Sequence, residues 1–187
     1  MKTSAKIANI LTAAGLGYIT WCLLRHRSRN SDGGDSNAVV VKPAGDWPNP
    51  TAGSVGYRNN NPLNIEYNAN TTWQGEIHPS AHYRFCQFTA MAYGYRAAFI
   101  MLFNYERLHG CKTLKQIINR WDSGSTNYVA TVCKFTGWNP DKVINRYDKN
   151  EMVALVTAMS KMENGANQPV PSAAIEQGWK YYQNWLG

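Results

Sequence analysis

The sequence predicts a mainly α-helical domain of the α+β class with one small β-hairpin, preceded by a transmembrane helix. Three observations support this fold class. From residue 89 onward, apolar residues recur at helical spacing between glycine stops. Between residues 57 and 88, Asn, Gly, Pro and aromatic residues alternate, which indicates loops and a small hairpin. Strands and helices do not alternate along the chain, so a parallel β-α-β sheet is excluded.

Residues 1–27 form the predicted transmembrane anchor. Residues 7–24 carry no charge over 18 positions, close to the length of about 20 apolar residues that a membrane span needs. Tyr18, Trp21 and then Arg25 follow at the far end, as an interfacial anchor requires. A cleaved signal peptide is the alternative, but no A-x-A-like site follows the apolar run. The flanking positive charges nominally place the C-terminal side of the span inside.

Residues 28–56 are rich in Ser, Asn, Asp, Gly and Pro, which predicts a flexible linker before a folded domain over residues 57–187. The 187-residue chain has a formal charge of +7, but residues 1–30 hold five basic side chains and no acidic one. The rest of the chain is close to balanced, so we expect no nucleic-acid partner. The four cysteines form no C-x-x-C pair, and we expect no metal and no cofactor.

The first two helices of the domain have recognisable ends. Residues 90–109 contain the run AFIMLF, which is apolar on all sides. This run predicts a buried central helix that ends at Gly110. Thr113 and Gln116 form a capping-box pair in front of the run LKQIINRW, which predicts the next helix.

Three more helices are expected, over residues 127–135, 152–163 and 172–185. Gly137 and Gly165 provide stops for the first two of these helices. Asp148 with Glu151 resembles a second capping box in front of residues 152–163. The small hairpin is expected within the runs IEY, TWQGEI and HYRFCQF.

Glu163 is the leading catalytic candidate. Five apolar side chains share one face of its helix: Met152, Leu155, Val156, Met159 and Met162. Glu163 falls within the same face and in the last turn, where the helix dipole is negative. Both positions disfavour an ionised carboxylate, and a neutral carboxyl group suits a general acid. Such departures from local rules concentrate at functional sites.

Two alternatives to this interpretation come from the same sequence. Glu163 could form a structural ion pair with an arginine such as Arg58 or Arg120. Glu106 is the second catalytic candidate, because it also lies one turn before a terminating glycine on an apolar helix. No other acid is near Glu163 in the sequence, so a mechanism with two carboxylates would need a partner brought in by folding.

A second constellation begins at Tyr57, where the chain reads YRNNNPLNI. Four asparagines within six positions supply both donors and acceptors, as recognition of acetamido and hydroxyl groups on a sugar requires. The simpler interpretation is a turn whose side chains cap their own backbone. Tryptophans of the domain, Trp73 among them, offer faces for stacking on sugar rings. The candidate substrate contacts are Tyr57, Arg58, Asn59, Asn61, Asn64 and Trp73.

Six motifs occur in a fixed order, namely YRNNNPLNIEY, WQG, GYRAAFIMLFNYERLHG, TLKQIINRW, YVATVCKFTGW and MENG. Together they resemble a phage family of virion-associated or lytic peptidoglycan-degrading proteins that share an R-N-N-N-P-x-N-I motif. The family is similar in fold to lysozyme and to the lytic transglycosylases, and the lytic enzyme of enveloped double-stranded RNA phages looks like a relative. Leu63 and residues 122–124 depart from the family pattern.

The resemblance implies a chemistry for Glu163. The stretch LVTAMSKMENGANQP resembles the transglycosylase helix that ends in the catalytic Glu. Because the asparagine loop precedes this helix, the resemblance implies a circularly permuted order, with the two lying side by side. Glu163 would protonate the bond between N-acetylmuramic acid and N-acetylglucosamine and then accept a proton from the muramyl 6-hydroxyl. Asn59, Asn61 and Asn64 would hold acetamido groups, and Tyr57 would stabilise the oxocarbenium-like state.

These expectations describe a membrane-anchored enzyme, either a lytic transglycosylase or, with water as nucleophile, a muramidase. Its partners would be peptidoglycan glycan strands, a lipid membrane through residues 7–24, and other virion proteins. It would act in wall penetration or lysis from the virion membrane or the host inner membrane. The alternatives are a peptidoglycan endopeptidase and a catalytically inactive virion structural or assembly protein with a lysozyme-like fold.

Overall fold

The structure, a computed structural model, describes residues 53–69, 71–78, 80, 82, 84–123 and 126–187. These residues form a mainly helical arrangement with one small antiparallel sheet, which confirms the predicted α+β class. The elements in chain order are α1 (Val55–Arg58), β1 (Glu76–Ile77), β2 (Gln87–Phe88), α2 (Met91–His109), α3 (Leu114–Trp121), α4 (Thr126–Thr136), α5 (Lys149–Asn164) and α6 (Ser172–Leu186).

The sheet lies where the sequence predicts a hairpin. Glu76 pairs with Phe88 and Ile77 pairs with Gln87, in antiparallel register. Strands of two residues have few ladder hydrogen bonds, so loop contacts with the helices must hold this region in place. The short helix α1 is the one element of the domain that the sequence pattern does not predict, because four residues are too few to show a period.

Helix α2 is the central helix, as the run AFIMLF predicts. Its Ala97, Phe99 and Leu102 side chains are completely buried, and it ends at Gly110, whose φ of 65° is left-handed. Helix α6 packs along α2, and the backbones of the two helices approach each other closely at Gly178. A Cβ at this glycine would lie 2.8 Å from the carbonyl oxygen of Ala92.

The two predicted capping boxes differ in the structure. Thr113 and Gln116 form a complete box at the start of α3, as predicted. At the start of α5, the Asp148 carboxylate accepts from the backbone N–H of Glu151, but the Glu151 side chain does not return to Asp148. Glu151 instead accepts from Lys142 Nζ over 2.7 Å and from the backbone N–H of Asn145. An ion pair therefore replaces the second half of that box.

The chain divides into two compact units, Val39–Tyr67 with Trp73–Gly187, and Met1–Ala38 with Asn68–Thr72. In the described part of the second unit, the Thr71 N–H donates to the carbonyl of Asn68 over 3.0 Å, which closes a turn. The predicted anchor and most of the predicted linker lie outside the described residues. Within the described residues, no helix combines the length and the apolar character that a membrane span needs.

Candidate active site

Glu163, in the last turn of α5, is the centre of the candidate site. The residue is half-buried, and its carboxylate accepts three hydrogen bonds. Asn64 Nδ2 donates to Oε2 over 3.0 Å. Trp121 Nε1 and the Tyr128 hydroxyl donate to Oε1 over 3.1 Å and 2.9 Å. Because the three donors come from three separate parts of the chain, tertiary packing fixes the orientation of this carboxylate.

Helices α3 and α4 supply two of these donors. Trp121 is the last residue of α3, and Tyr128 lies in the first turn of α4. The Tyr105 ring of α2 packs edge-on against Trp121, with ring centroids 6.3 Å apart. Burial raises the pKa of the Tyr128 hydroxyl, and the neighbouring Glu163 carboxylate raises it further. Tyr128 therefore keeps its proton at neutral pH and can act as a donor toward Glu163.

Asn164, the residue after Glu163, joins the end of α5 to the asparagine loop. Its Nδ2 donates to the carbonyl oxygen of Pro62 over 2.6 Å, and its Oδ1 accepts from the Ser54 hydroxyl. Gly56 permits this close packing, since a Cβ there would lie 2.5 Å from Asn164 Oδ1. The loop and the helix end thus lie side by side.

The asparagine loop turns sharply at two positions. Asn60 and Asn64 have φ angles of 52° and 50°, in the left-handed region that asparagine tolerates better than most residues. Asn60 Nδ2 also donates to the carbonyl of Phe88 over 2.9 Å, which ties the loop to β2. The left-handed turn at Asn64 is part of the geometry that presents its amide to Glu163.

Asn61 and Asn59 are placed differently from the predicted substrate contacts. Asn61 is completely buried, and its amide binds the backbone of Ile65 in both directions and the carbonyl of Cys86. Asn59 is also buried, and its Oδ1 accepts from Gln87 Nε2 over 3.1 Å. These two asparagines hold the loop together, which is the simpler interpretation of the asparagine-rich sequence.

The other predicted contacts have partners other than the Glu163 carboxylate. Tyr57 is buried beside Ser160, and this burial raises the pKa of its hydroxyl. Trp73 is buried, and its backbone N–H donates to the Glu76 carboxylate. Arg58 is exposed and donates to the carbonyl of Gly53. Asn64 is therefore the one predicted substrate contact that hydrogen-bonds Glu163 among the described residues.

The ion-pair interpretation of Glu163 is wrong for the described residues, none of which forms a salt bridge with it. Arg120 instead contacts the His109 ring. The second catalytic candidate, Glu106, forms a salt bridge with the buried Arg146. This pairing gives Glu106 a structural partner that Glu163 does not have.

A comparison with known proteins gives one relationship that identifies the family. The chain is 32% identical to protein P5 of Pseudoalteromonas phage PM2 over 135 residues, which cover 68% of this chain and 82% of P5. The chain belongs to the P5 family. No protein-family model matches this sequence. The assignment to the P5 family places the chain among bacteriophage proteins.

Two residues of the site in this P5-family chain, Trp121 and Tyr128, are absent from the predicted set. The sequence offers Trp121 as one of several tryptophans that could stack on a sugar, and Tyr128 carries no signal of its own. The role of Tyr128 depends on how α4 packs against α5, which no sequence pattern indicates. Within the described part of the chain, no cluster of three His, Cys, Asp or Glu residues could hold a metal ion.

Proposed function

We propose that the chain is a peptidoglycan-cleaving enzyme with a lysozyme-like, circularly permuted domain, and that Glu163 is its catalytic acid. The single observation that supports this proposal best is the hydrogen bond of 3.0 Å between Asn64 Nδ2 and Glu163 Oε2. It joins the two sequence motifs that resemble peptidoglycan-degrading proteins. A half-buried carboxylate at the meeting point of these motifs is suited to bind and protonate a glycan.

The two oxygens of the Glu163 carboxylate have different roles in this proposal. Oε1 accepts from Trp121 and Tyr128, which fills both of its lone-pair directions. Oε2 accepts only from Asn64 among the described residues, so it has room for a proton. We therefore assign Oε2 as the oxygen that carries the transferable proton. Trp121 and Tyr128 would hold the carboxylate in place and act as positioning residues.

The proposed reaction needs no second carboxylate. Glu163 donates its proton to the glycosidic oxygen between N-acetylmuramic acid and N-acetylglucosamine as the C1–O bond breaks. The muramyl 6-hydroxyl then attacks C1 and returns a proton to Glu163, which leaves a 1,6-anhydro end and the original acid. Water in place of the hydroxyl gives a muramidase with a reducing end. Proton transfer of this kind contributes roughly 10²–10⁴-fold to the rate.

The test uses the full chain and purified peptidoglycan sacculi, with soluble products identified by mass spectrometry. We expect the parent protein to release fragments, and Glu163→Gln to reduce release by roughly 10²-fold or more while its far-ultraviolet circular dichroism is unchanged. Glu176→Gln is the matched control, because Glu176 lies on the surface of α6 and pairs with Lys149. This control should retain the parent activity.

The products distinguish the possible bonds. Anhydro-muramyl ends identify a lytic transglycosylase, reducing ends a muramidase, and new free amines an endopeptidase. Equal release by the parent and Glu163→Gln would remove Glu163 from the mechanism. No release by the folded parent protein would refute the enzyme and favour a virion structural or assembly role.

We also propose that residues 7–24 anchor the enzyme in a lipid membrane of the virion or the host. The support is the uncharged length of this segment and the aromatic and basic residues at its end. The full chain should stay with vesicles during alkaline extraction, and a chain that lacks residues 1–27 should not. Release of both proteins by alkali would contradict the anchor.

A further inference from the structure

Arg96, in the first half of α2, is a buried cation without an anionic partner. The residue is only 5% exposed, and its Nε and Nη1 atoms are shielded from solvent with no acceptor. No described carboxylate forms a salt bridge with it. Burial lowers the pKa of Arg96 to about 10, and the neighbouring Tyr93 opposes this shift. The guanidinium is therefore charged at neutral pH.

Arg146 shows how the same fold satisfies a buried guanidinium. It is 1% exposed, and its nitrogens donate to the carbonyls of Leu102, Ile144 and Cys111 and to the Glu106 carboxylate. A buried charge that lacks such partners costs several kcal/mol. By contrast, Arg96 Nε and Nη1 bind no neighbouring chain segment.

A pair of stacked tyrosines begins at Tyr93, the neighbour of Arg96 on α2. Tyr93 of α2 stacks on Tyr181 of α6 with centroids 5.1 Å apart and planes at 15°. Both rings are half-buried, so this side of the α2–α6 contact reaches solvent. The two carboxylates of this helix pair, Glu106 and Glu176, bind Arg146 and Lys149 rather than Arg96.

We propose that Arg96 is the cation of a binding site for a small oxyanion, a carboxylate or a phosphate group, which enters beside Tyr93 and Tyr181. A guanidinium presents two donor edges, Nε with Nη2 and Nη1 with Nη2, and each edge can bind two oxygens of one ligand. Each edge of Arg96 contains one nitrogen without an acceptor. The site is independent of Glu163, and the proposal does not depend on the chemistry assigned to that residue.

The test measures thermal unfolding of the full chain in sodium acetate and in sodium phosphate, each against sodium chloride of equal ionic strength. A ligand that binds only the folded chain raises the unfolding midpoint, and we expect a rise of roughly 4 °C with the matching anion. Arg96→Met, which replaces the charge with an apolar side chain of similar length, should abolish this rise. Arg84→Met is the control, because it removes an equal charge from the exposed pair with Glu66.

The response identifies the ligand class. A rise in acetate alone assigns a carboxylate site, and a rise in phosphate assigns a phosphate site. An equal rise in the parent protein and in Arg96→Met, or no rise with either anion, would overturn the proposal. So would an anion-free midpoint of Arg96→Met well below that of the parent, since it would show that the charge has a structural role.

If Arg96→Met does not fold, nuclear magnetic resonance of the parent protein provides a second test of anion binding at Arg96. The Arg96 Nε–H is shielded from solvent and should give an observable side-chain signal. Titration with the matching anion should shift this signal to saturation, and Tyr181→Phe should weaken the binding by about tenfold, the loss of one hydrogen bond. A shift that never saturates, or that equals the shift in chloride, would refute the site.

Discussion

Removal of the Tyr128 hydroxyl tests how Glu163 is positioned. Tyr128→Phe deletes the hydrogen bond of 2.9 Å to Oε1 and preserves the buried ring. A hydrogen bond to a charged group contributes about 1.5–3 kcal/mol, so we expect kcat on sacculi to fall by roughly 10- to 100-fold. Because the hydroxyl faces the carboxylate, KM should change little.

Tyr147→Phe provides the control for that measurement, since the Tyr147 side chain is 70% exposed and loses its hydroxyl in solvent. A Tyr128→Phe enzyme with the kcat of the parent would show that the hydroxyl does not position Glu163. An increase in KM with kcat unchanged would place Tyr128 in substrate binding instead.

Individual residues of the site were predictable only where the residue type is unusual for its position in a helix. Glu163 stood out because a carboxylate on an apolar helix face at a C-terminus is unusual. Asn61 and Asn59 show the limit of the sequence pattern, because an asparagine that closes a turn and one that binds a sugar have the same sequence signal. Tyr128 could not be found from sequence, because its role depends on the packing of α4 against α5.

At the scale of elements, α1, the asparagine loop and the end of α5 meet at a junction where we expect a larger side chain to reduce both stability and activity. A Cβ at Gly56 would lie 2.5 Å from Asn164 Oδ1 and 3.0 Å from Asn64 Oδ1. Gly56→Ala should therefore lower the free energy of unfolding by about 1–3 kcal/mol, through overpacking. It should also lower activity on sacculi, because Asn64 must move away from Glu163.

Gly110→Ala is the matched control for the junction. Gly110 has a left-handed φ of 65°, and a Cβ added there would meet no atom within 4 Å, so alanine causes backbone strain without a clash. This variant should lose stability by urea denaturation but retain activity at a temperature where it is folded. Gly56→Ala with full activity under the same conditions would contradict the proposed link between the junction and the site.

The helices were predictable because each has an apolar period, with a capping residue in front of α3 and α5 and a glycine after α2, α4 and α5. The predicted helix over 152–163 lies within Lys149–Asn164, and the helix predicted over 90–109 begins one residue later, at Met91. The half-formed capping box at Asp148 could not be predicted, because Lys142 competes for the Glu151 carboxylate from a preceding turn. A long helix can be predicted from the apolar period of its own sequence. A short element such as α1 forms because of the residues that pack against it, so its own sequence does not predict it.

Across the whole molecule, Arg146 links parts of the chain that are distant in sequence. Its guanidinium binds the carbonyl of Leu102 in α2, and its own carbonyl accepts from the Tyr182 hydroxyl in α6. Arg146→Met should lower the free energy of unfolding by about 3–5 kcal/mol, because the carbonyls and the Glu106 carboxylate lose a buried partner.

Urea denaturation checks this expectation, with Arg84→Met as the comparison. The Arg84–Glu66 pair is exposed, with side chains 59% and 69% accessible, so its loss should cost less than about 1 kcal/mol. Similar losses in the two variants would show that Arg146 does not hold the helices together. The hydrogen bonds of Arg146 could not be predicted from the sequence, because Arg146 lies in a segment with no helical or strand period.

The contact between Asn64 and Glu163 also has a consequence for the timing of folding. The two residues are 99 positions apart, and Ser54 and Asn164 are 110 apart. Contacts of such long range form late, because the entropy of closing the intervening loop must be overcome first. During synthesis, the carboxylate cannot meet Asn64 until nearly the whole domain has left the ribosome. A partly made chain would therefore lack the assembled site, and the proposed activity would require the folded domain.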